Sequence, residues 1–231
     1  MDFTKVDGKM IWKIYLVNMK VTIYDKPLTH LGVDDFIDKD DFAVLSKNYR
    51  EENSELGFTF RGDGGRRVYQ FDNLPDKSRF EGRILSSVVK IWDDYYHDIN
   101  HGLDKSDLVD NIIFEWRNTL PYDKNYRNVH PDSAAKIMSV VYYISSHGVG
   151  TTLLERVKEG EPMIVRKTIE WKPNRAFIFV RKGGDVGATY HKAENDIPHE
   201  RFTMNLAICS KVDKKAYRER FRRKNERNKE K

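Results

Sequence analysis

From about residue 110 onward the chain is written in short β segments separated by turn residues, and no other feature restricts its fold as tightly. "NIIFEWRNTL", "NYRNVHPD", "KIMSVVYYIS", "GTTLLERV", "MIVRKTIEW", "RAFIFVRK", "GATYH" and "RFTMNLAICS" follow one another within about a hundred residues. Eight apolar or alternating segments at that spacing leave too little chain for crossover helices. They imply an antiparallel sandwich or a small barrel.

The N-terminal part follows a different grammar. "MIWKIYLVNMKVTIY" reads as one or two strands, and "DDFAVLSKNY" as a short helix with Phe42, Leu45 and Tyr49 on one face. "SELGFTFR" and "RRVYQF" read as two strands joined by the turn "GDGG". "SRFEGRILSSVVKIWDDYYHDINHG" is the clearest helix, with Phe80, Ile84, Val88, Ile91, Tyr95 and Ile99 as its buried stripe. Ser78 and Glu81 have capping-box spacing, and Gly102 stands where a helix C-terminus takes glycine. The expected organisation is a supporting region over 1–109, packed on a β core over 110–210, with a basic tail over 211–231, all within one domain.

Charge shows what the core is not. The net charge is +5, but residues 211–231 hold eleven Lys/Arg against four Asp/Glu, which is +7, so the first 210 residues sum to −2. A nearly neutral body argues against a nucleic-acid platform; the tail reads as a solvated end, with contact to an anionic partner the minority reading. Charged residues make up 33% of the chain and the mean hydropathy is −0.71, as expected of a soluble protein. The longest apolar runs, such as 137–144, are too short to span a bilayer, and "MDFTKVDGKM" has no apolar leader core. The lone Cys209 excludes an intramolecular disulfide and a cysteine-cluster metal site, and the cytoplasm is the expected compartment.

Two residue sets compete as a site. His97 and His101 are four apart near a helix end, as in half of a zinc-protease motif. At roughly 100° per residue they fall opposite the apolar stripe, so a solvated face is the better reading. "KGGDVG" and "GDGG" fit no phosphate-loop spacing and read as turns. In "HPD", His130 and Asp132 are two apart in a strand and project to one side as two metal ligands in need of a third. His191 stands in a later strand. Ten residues on, Arg201 opens "RFTMNLAIC" with Thr203 on the same side. A guanidinium grips a carboxylate bidentately and a hydroxyl satisfies a remaining lone pair, so this set suits a metal together with a small dicarboxylate.

That ordered set, His130-x-Asp132, then His191, then Arg201, resembles the Fe(II)/2-oxoglutarate-dependent dioxygenases, in flavour the prolyl-hydroxylase-like branch. The similarity runs over about 110–210. "KIMSVVYYISSHGVGTTL" is similar to a family strand and its Gly turn, and "WKPNRAFIF" to the strand before the distal histidine. "GVGTT" departs from the adjacent glycines often found there, and His199 is the competing distal ligand, two residues before Arg201. The resemblance implies a mainly β protein with flanking helices, built on a double-stranded β-helix of jelly-roll type. It implies Fe(II) on His130, Asp132 and His191, and 2-oxoglutarate held by Arg201, Thr203 and Tyr143, which family position favours over Tyr142. The implied reaction uses O2, with ascorbate as an optional addition, to decarboxylate 2-oxoglutarate to succinate and CO2 while hydroxylating a substrate. Asp132 fills the position that halogenating relatives leave open. A prolyl or other protein side chain is the first substrate class, a small metabolite the second and an alkylated nucleic acid the third. A non-catalytic jelly-roll binding module is the alternative from another class.

Overall fold

The computed structural model describes residues 3–6, 9–12, 19–24, 30–51, 59–61, 66–68, 76–96, 112–119, 129–132, 136–180, 190–193 and 201–209. His97, His101, His199, Gly102, both Gly-rich turns and the basic tail lie outside them. The strands are β1 (Phe3–Val6), β2 (Lys9–Trp12), β3 (Lys20–Tyr24), β4 (His30–Asp34), β5 (Thr59–Arg61), β6 (Arg66–Val68), β7 (Ile112–Thr119) and β8 (His130–Pro131). They continue with β9 (Lys136–Tyr143), β10 (Thr151–Glu155), β11 (Ile164–Ile169), β12 (Arg175–Val180), β13 (Tyr190–Ala193) and β14 (Arg201–Cys209). Two helices interrupt them, α1 (Lys39–Glu51) and α2 (Lys77–Ile91), the latter followed by a π turn at Trp92–Tyr96.

Among the described residues the strands form an eight-stranded sheet in the order β3-β4-β12-β9-β14-β7-β6-β5, a four-stranded sheet β11-β10-β13-β8, and the β1-β2 hairpin. Every described pairing is antiparallel. The two larger sheets face one another as a jelly-roll-like core, and the N-terminal strands extend the large sheet at both ends.

The central strands are apolar almost throughout because both faces of the large sheet are covered. On β9, Met138, Val140 and Tyr142 face outward, as do Met204, Leu206 and Ile208 on β14 and Ala176 and Ile178 on β12. They pack with Phe36, Ile37 and Leu45 around α1 and with Phe80, Ile84, Val88 and Ile91 of α2. The alternate residues, Val141 and Tyr143 on β9 and Phe177 and Phe179 on β12, turn inward and meet Leu153 and Ile169 of the small sheet. Period-2 alternation thus splits each strand between a helix-facing core and a sandwich interior.

Two polar devices lock the helix layer on. Asp41, buried at 4% exposure, takes ion pairs from Arg79 and, at 2.8 Å, from Arg83, joining α1 to α2. Asn174 adopts a left-handed backbone at φ 60°, which asparagine tolerates better than most residues. Its side chain donates to the Ile37 carbonyl at 2.9 Å and accepts from the Ile37 N–H at 3.2 Å and the Tyr142 hydroxyl at 2.9 Å.

The start of α2 corrects the capping-box reading. Its N-cap is Asp76, left-handed at φ 54° and without a side-chain cap bond, and Ser78 already lies inside the helix. Glu81 instead accepts a long hydrogen bond from Trp116 Nε1 at 3.4 Å. Among the described residues no helix is long and apolar enough to cross a membrane.

Candidate metal and 2-oxoglutarate site

The interior of the small sheet brings two histidines together. In the β8–β13 register His191 lies opposite His130, and in the β13–β10 register it lies opposite Leu153. The two imidazoles stand 4.6 Å apart between centroids with their planes at 53°. Phe179, from the large sheet, meets His191 edge-on at 5.1 Å, so that imidazole points into the sandwich. His130 is exposed, on the rim of this pair.

Asp132 follows β8 directly and is buried, at 7% exposure. Ser139, on the inward face of β9, donates to its Oδ2 at 2.5 Å, and Lys136 Nζ lies 2.7 Å from Oδ1. Burial would push this carboxyl up. The Lys136 ammonium, the charge of His191 and the two hydrogen bonds more than reverse that and hold it well below the usual carboxylate range. Asp132 is therefore an anion coupled to His191. Lys136 and Ser139 are partners that the spacing of "HPD" did not reveal; a lysine four residues from an aspartate ordinarily reads as a surface pair.

A second polar centre lies where β14 begins. Arg201, 2% exposed, donates from Nε to the Val149 carbonyl at 3.0 Å and from Nη2 toward Thr151 Oγ1 at 3.4 Å. Thr151 Oγ1 is also 2.8 Å from the Tyr143 hydroxyl. Tyr143 and Trp171 stack at 4.4 Å, and the guanidinium carbon sits 5.7 Å and 5.4 Å from their ring centroids, so an aromatic wall backs the cation. Tyr142, one residue earlier, faces the helix layer.

The turn at 148–150 makes this seat. A Cβ on Gly150 would lie 1.9 Å from the Ile169 carbonyl oxygen, and one on Gly148 would lie 2.5 Å from the Trp171 ring. Both positions need glycine for close approach, although the two glycines are not adjacent. Together they present the Val149 carbonyl to Arg201. Thr151 and Trp171 are further members of the centre that sequence reasoning missed; only the closeness of Thr151 to the Gly turn could have flagged it.

Two buried oxygens at this centre have no hydrogen-bond partner among the described residues, Thr203 Oγ1 and Asn205 Oδ1. Both lie on the inward face of β14 with Arg201, and Thr203 is opposite Tyr143. A buried polar atom without a partner costs about 1–3 kcal/mol, which a polar ligand relieves. The Thr203 hydroxyl can donate to an anion's oxygen beside the Arg201 guanidinium, whereas Asn205 Oδ1 only accepts and is satisfied by a donor group, not by the anion.

The metal fit rests on donor chemistry. Two adjacent imidazoles and an ionised carboxylate coupled to one of them are the donor types of a two-histidine, one-carboxylate site. A carboxylate has about four lone-pair positions, so Lys136 and Ser139 leave acceptors on Asp132. Among the described residues no three His, Cys, Asp or Glu side chains are drawn together as a ready metal cage. The imidazole pair is assembled, and the carboxylate is turned toward Lys136 and Ser139.

The sequence matches no family model and no curated protein. Solved structures do match. A prolyl-4-hydroxylase of Pseudomonas putida superposes with a TM-score of 0.54 at 11% identity, over 79% of this chain and 92% of that one. A 2OG-Fe(II) oxygenase family protein of Burkholderia pseudomallei gives 0.45 at 13% identity, over 75% and 80% of the two chains. A Trichoplax adhaerens prolyl hydroxylase, solved with a hypoxia-inducible-factor peptide, gives 0.47 at 11%, over 81% and 86%. At these identities what the Pseudomonas enzyme shares with this chain is its fold: a mostly antiparallel, jelly-roll-like core with helices on its outer face.

Proposed function

We propose that this protein is an Fe(II)/2-oxoglutarate-dependent dioxygenase that hydroxylates a protein side chain, with proline the first candidate. The observation that carries the reading is the cross-strand pair His130–His191, with the buried Asp132 two residues after His130 and the Arg201 seat in the same sandwich. His130, His191 and Asp132 would hold the iron. Arg201 would grip the far carboxylate of 2-oxoglutarate, with the Thr203 hydroxyl supplying a further hydrogen bond and Tyr143 lining the seat. The bound iron, 2-oxoglutarate and O2 supply the oxidising chemistry, with succinate and CO2 as by-products.

The chain's own part is positioning and exclusion of water. Val149 and Thr151 fix the guanidinium from one side, and the Tyr143–Trp171 stack closes another. Phe179 supports the His191 ring. Support for a protein side chain as substrate comes from the name of the Pseudomonas neighbour, a prolyl-4-hydroxylase.

The test is anaerobic addition of Fe(II) and 2-oxoglutarate to the whole chain, followed in the visible range. A charge-transfer band that needs both additions is expected. A mixture that stays colourless at saturating concentrations of both overturns the reading.

A further inference from the structure

At the end of the sandwich beyond the Arg201 seat, both sheets stop at a strand with no described partner on its outer side. β3 ends the large sheet and β11 ends the small one. Between them lies a cleft of about 250 Å³, lined by Tyr24, Asp34 and Arg175 from the large sheet and by Lys167, Ile169 and Glu170 from the β11 side. An exposed edge is normally blunted by charge or proline, because its free N–H and C=O groups invite another strand. β11 carries two such charges, Arg166 and Lys167, and a register shift against β10, yet it leaves apolar surface open beside them. Ile164 and Val165 are 46% and 58% exposed, Val157 in the preceding turn is 49%, and Ile23 on β3 is 53%. The other exposed large apolar side chain among the described residues, Tyr95, is less open, at 39%.

The cations at this end are not equivalent. Arg166 is paired with Glu155 at 2.8 Å, and Arg175 and Lys172 share Asp34 at 2.6 and 2.7 Å. Lys167 has no carboxylate within ion-pair distance among the described residues. Its Nζ rests 3.0 Å from the centre of the Tyr24 ring, across the cleft. Burial also pushes this amine down from the ordinary lysine range, so a carboxylate beside it would be favoured.

The register ties this edge to the histidines. Lys167 is opposite Leu153, Leu153 opposite His191, and His191 opposite His130, so the four form one row across the small sheet. At about 4.8 Å per strand, a strand added outside β11 would run roughly 15 Å from His191.

We infer that the outer edge of β11 is a docking strip for an extended peptide, which adds to the sheet antiparallel and places an acidic side chain in the cleft against Lys167. Main-chain pairing supplies affinity. Ile164 and Val165 supply apolar contact, and Lys167 selects charge and fixes register. Describing the bound strand as part of a hydroxylation substrate rests on the proposed function; the docking itself needs neither iron nor 2-oxoglutarate.

The experiment is fluorescence anisotropy on the whole chain without metal. The probe is a fluorescein-labelled decapeptide of alternating threonine and valine with one central glutamate. Companion probes carry lysine at that position, or N-methyl groups on the odd or on the even amides. The wild-type chain is expected to prefer the glutamate probe to the lysine probe by about tenfold, and Lys167→Glu to reverse that preference, which no misfolded variant would do. One of the two N-methyl sets should abolish binding and the other should not. Failure of the glutamate probe to bind overturns the proposal, as do an unchanged preference in Lys167→Glu and equal binding of both N-methyl sets. Free glutarate competing as well as the peptide would make the cleft a small-anion site instead. A concentration-dependent dimer broken by Val165→Lys would assign the edge to a second copy of the chain. Because iron is absent from every arm, these outcomes are independent of the charge-transfer test.

Discussion

The guanidinium of Arg201 is seated on the carbonyl of Val149, 52 residues earlier in the chain, at 3.0 Å. That bond uses Nε, and Nη2 is directed at Thr151, so the planar fork is oriented before any ligand arrives. Lysine keeps the charge but has no fork and cannot reproduce two parallel hydrogen bonds. A lost hydrogen bond to a charged group is worth about 1.5–3 kcal/mol, so Arg201→Lys should weaken 2-oxoglutarate binding roughly ten- to a hundredfold. Iron affinity should be unchanged. Paired titrations with Fe(II) and with 2-oxoglutarate check this, and loss of iron in Arg201→Lys would mean that the guanidinium does not serve the cosubstrate.

Gly150 tests the same seat from the other side. A methyl group there would lie 1.9 Å from the Ile169 carbonyl oxygen, a backbone atom held in the β10–β11 ladder. The turn must shift, and Val149 shifts with it. Gly150→Ala should cost about 1–3 kcal/mol of stability, the usual price of overpacking, and should also weaken 2-oxoglutarate binding. Chemical denaturation and a 2-oxoglutarate titration measure the two effects. Normal cosubstrate affinity in the destabilised variant would show that the turn does not govern Arg201.

The residues that sequence reasoning missed share a cause. Alternation and turn chemistry are local, so the strands of the sandwich and the apolar stripe of α2 from Phe80 to Ile91 could be read directly. Tyr95, expected on that stripe, is instead 39% exposed in the π turn, whose wider winding breaks the 3.6-residue period. Ile99 lies outside the described residues. The same alternation separates Tyr143, stacked on Trp171, from Tyr142, bonded to Asn174. The Ser78–Glu81 spacing misled because a capping box is a purely local pattern, and Trp116 on β7 captured Glu81. Lys136, Thr151 and Trp171 belong to the site only through the pairing of distant strands. No spacing rule states a contact such as the stack between Tyr143 and Trp171.

Asp132 and Lys136 separate a structural role from a metal role. Their side chains are only 5% and 14% exposed, so removing one partner leaves a poorly solvated charge. Asp132→Ala should cost about 3–5 kcal/mol of stability and greatly weaken Fe(II) binding. Adding Lys136→Met to that variant removes the orphaned ammonium. It should restore most of the stability and none of the iron affinity. Denaturation curves and Fe(II) titrations of the single and double variants decide it. Tight iron binding in the double variant would remove Asp132 from the ligand set.

Glu81 gives a pH prediction remote from the site. Burial pushes its carboxyl above the ordinary glutamate value of 4.5, against the lowering effects of the Trp116 hydrogen bond and the Lys77 charge. A carboxyl whose pKa is raised on folding binds its proton more tightly in the folded chain than in the unfolded one. Its ionisation therefore destabilises the fold, and stability falls as pH rises from 4.5 through the raised value, then levels off. Glu81→Gln keeps a carbonyl acceptor for Trp116 Nε1 and removes the desolvated charge. The variant should be the more stable protein at neutral pH, and its advantage should shrink as the pH is lowered until the two curves converge below 4.5. Denaturant midpoints measured across that range supply the test. A variant less stable than wild type at neutral pH would mean that the ionised carboxylate holds α2 to β7, and that its hydrogen bond outweighs the cost of burying the charge.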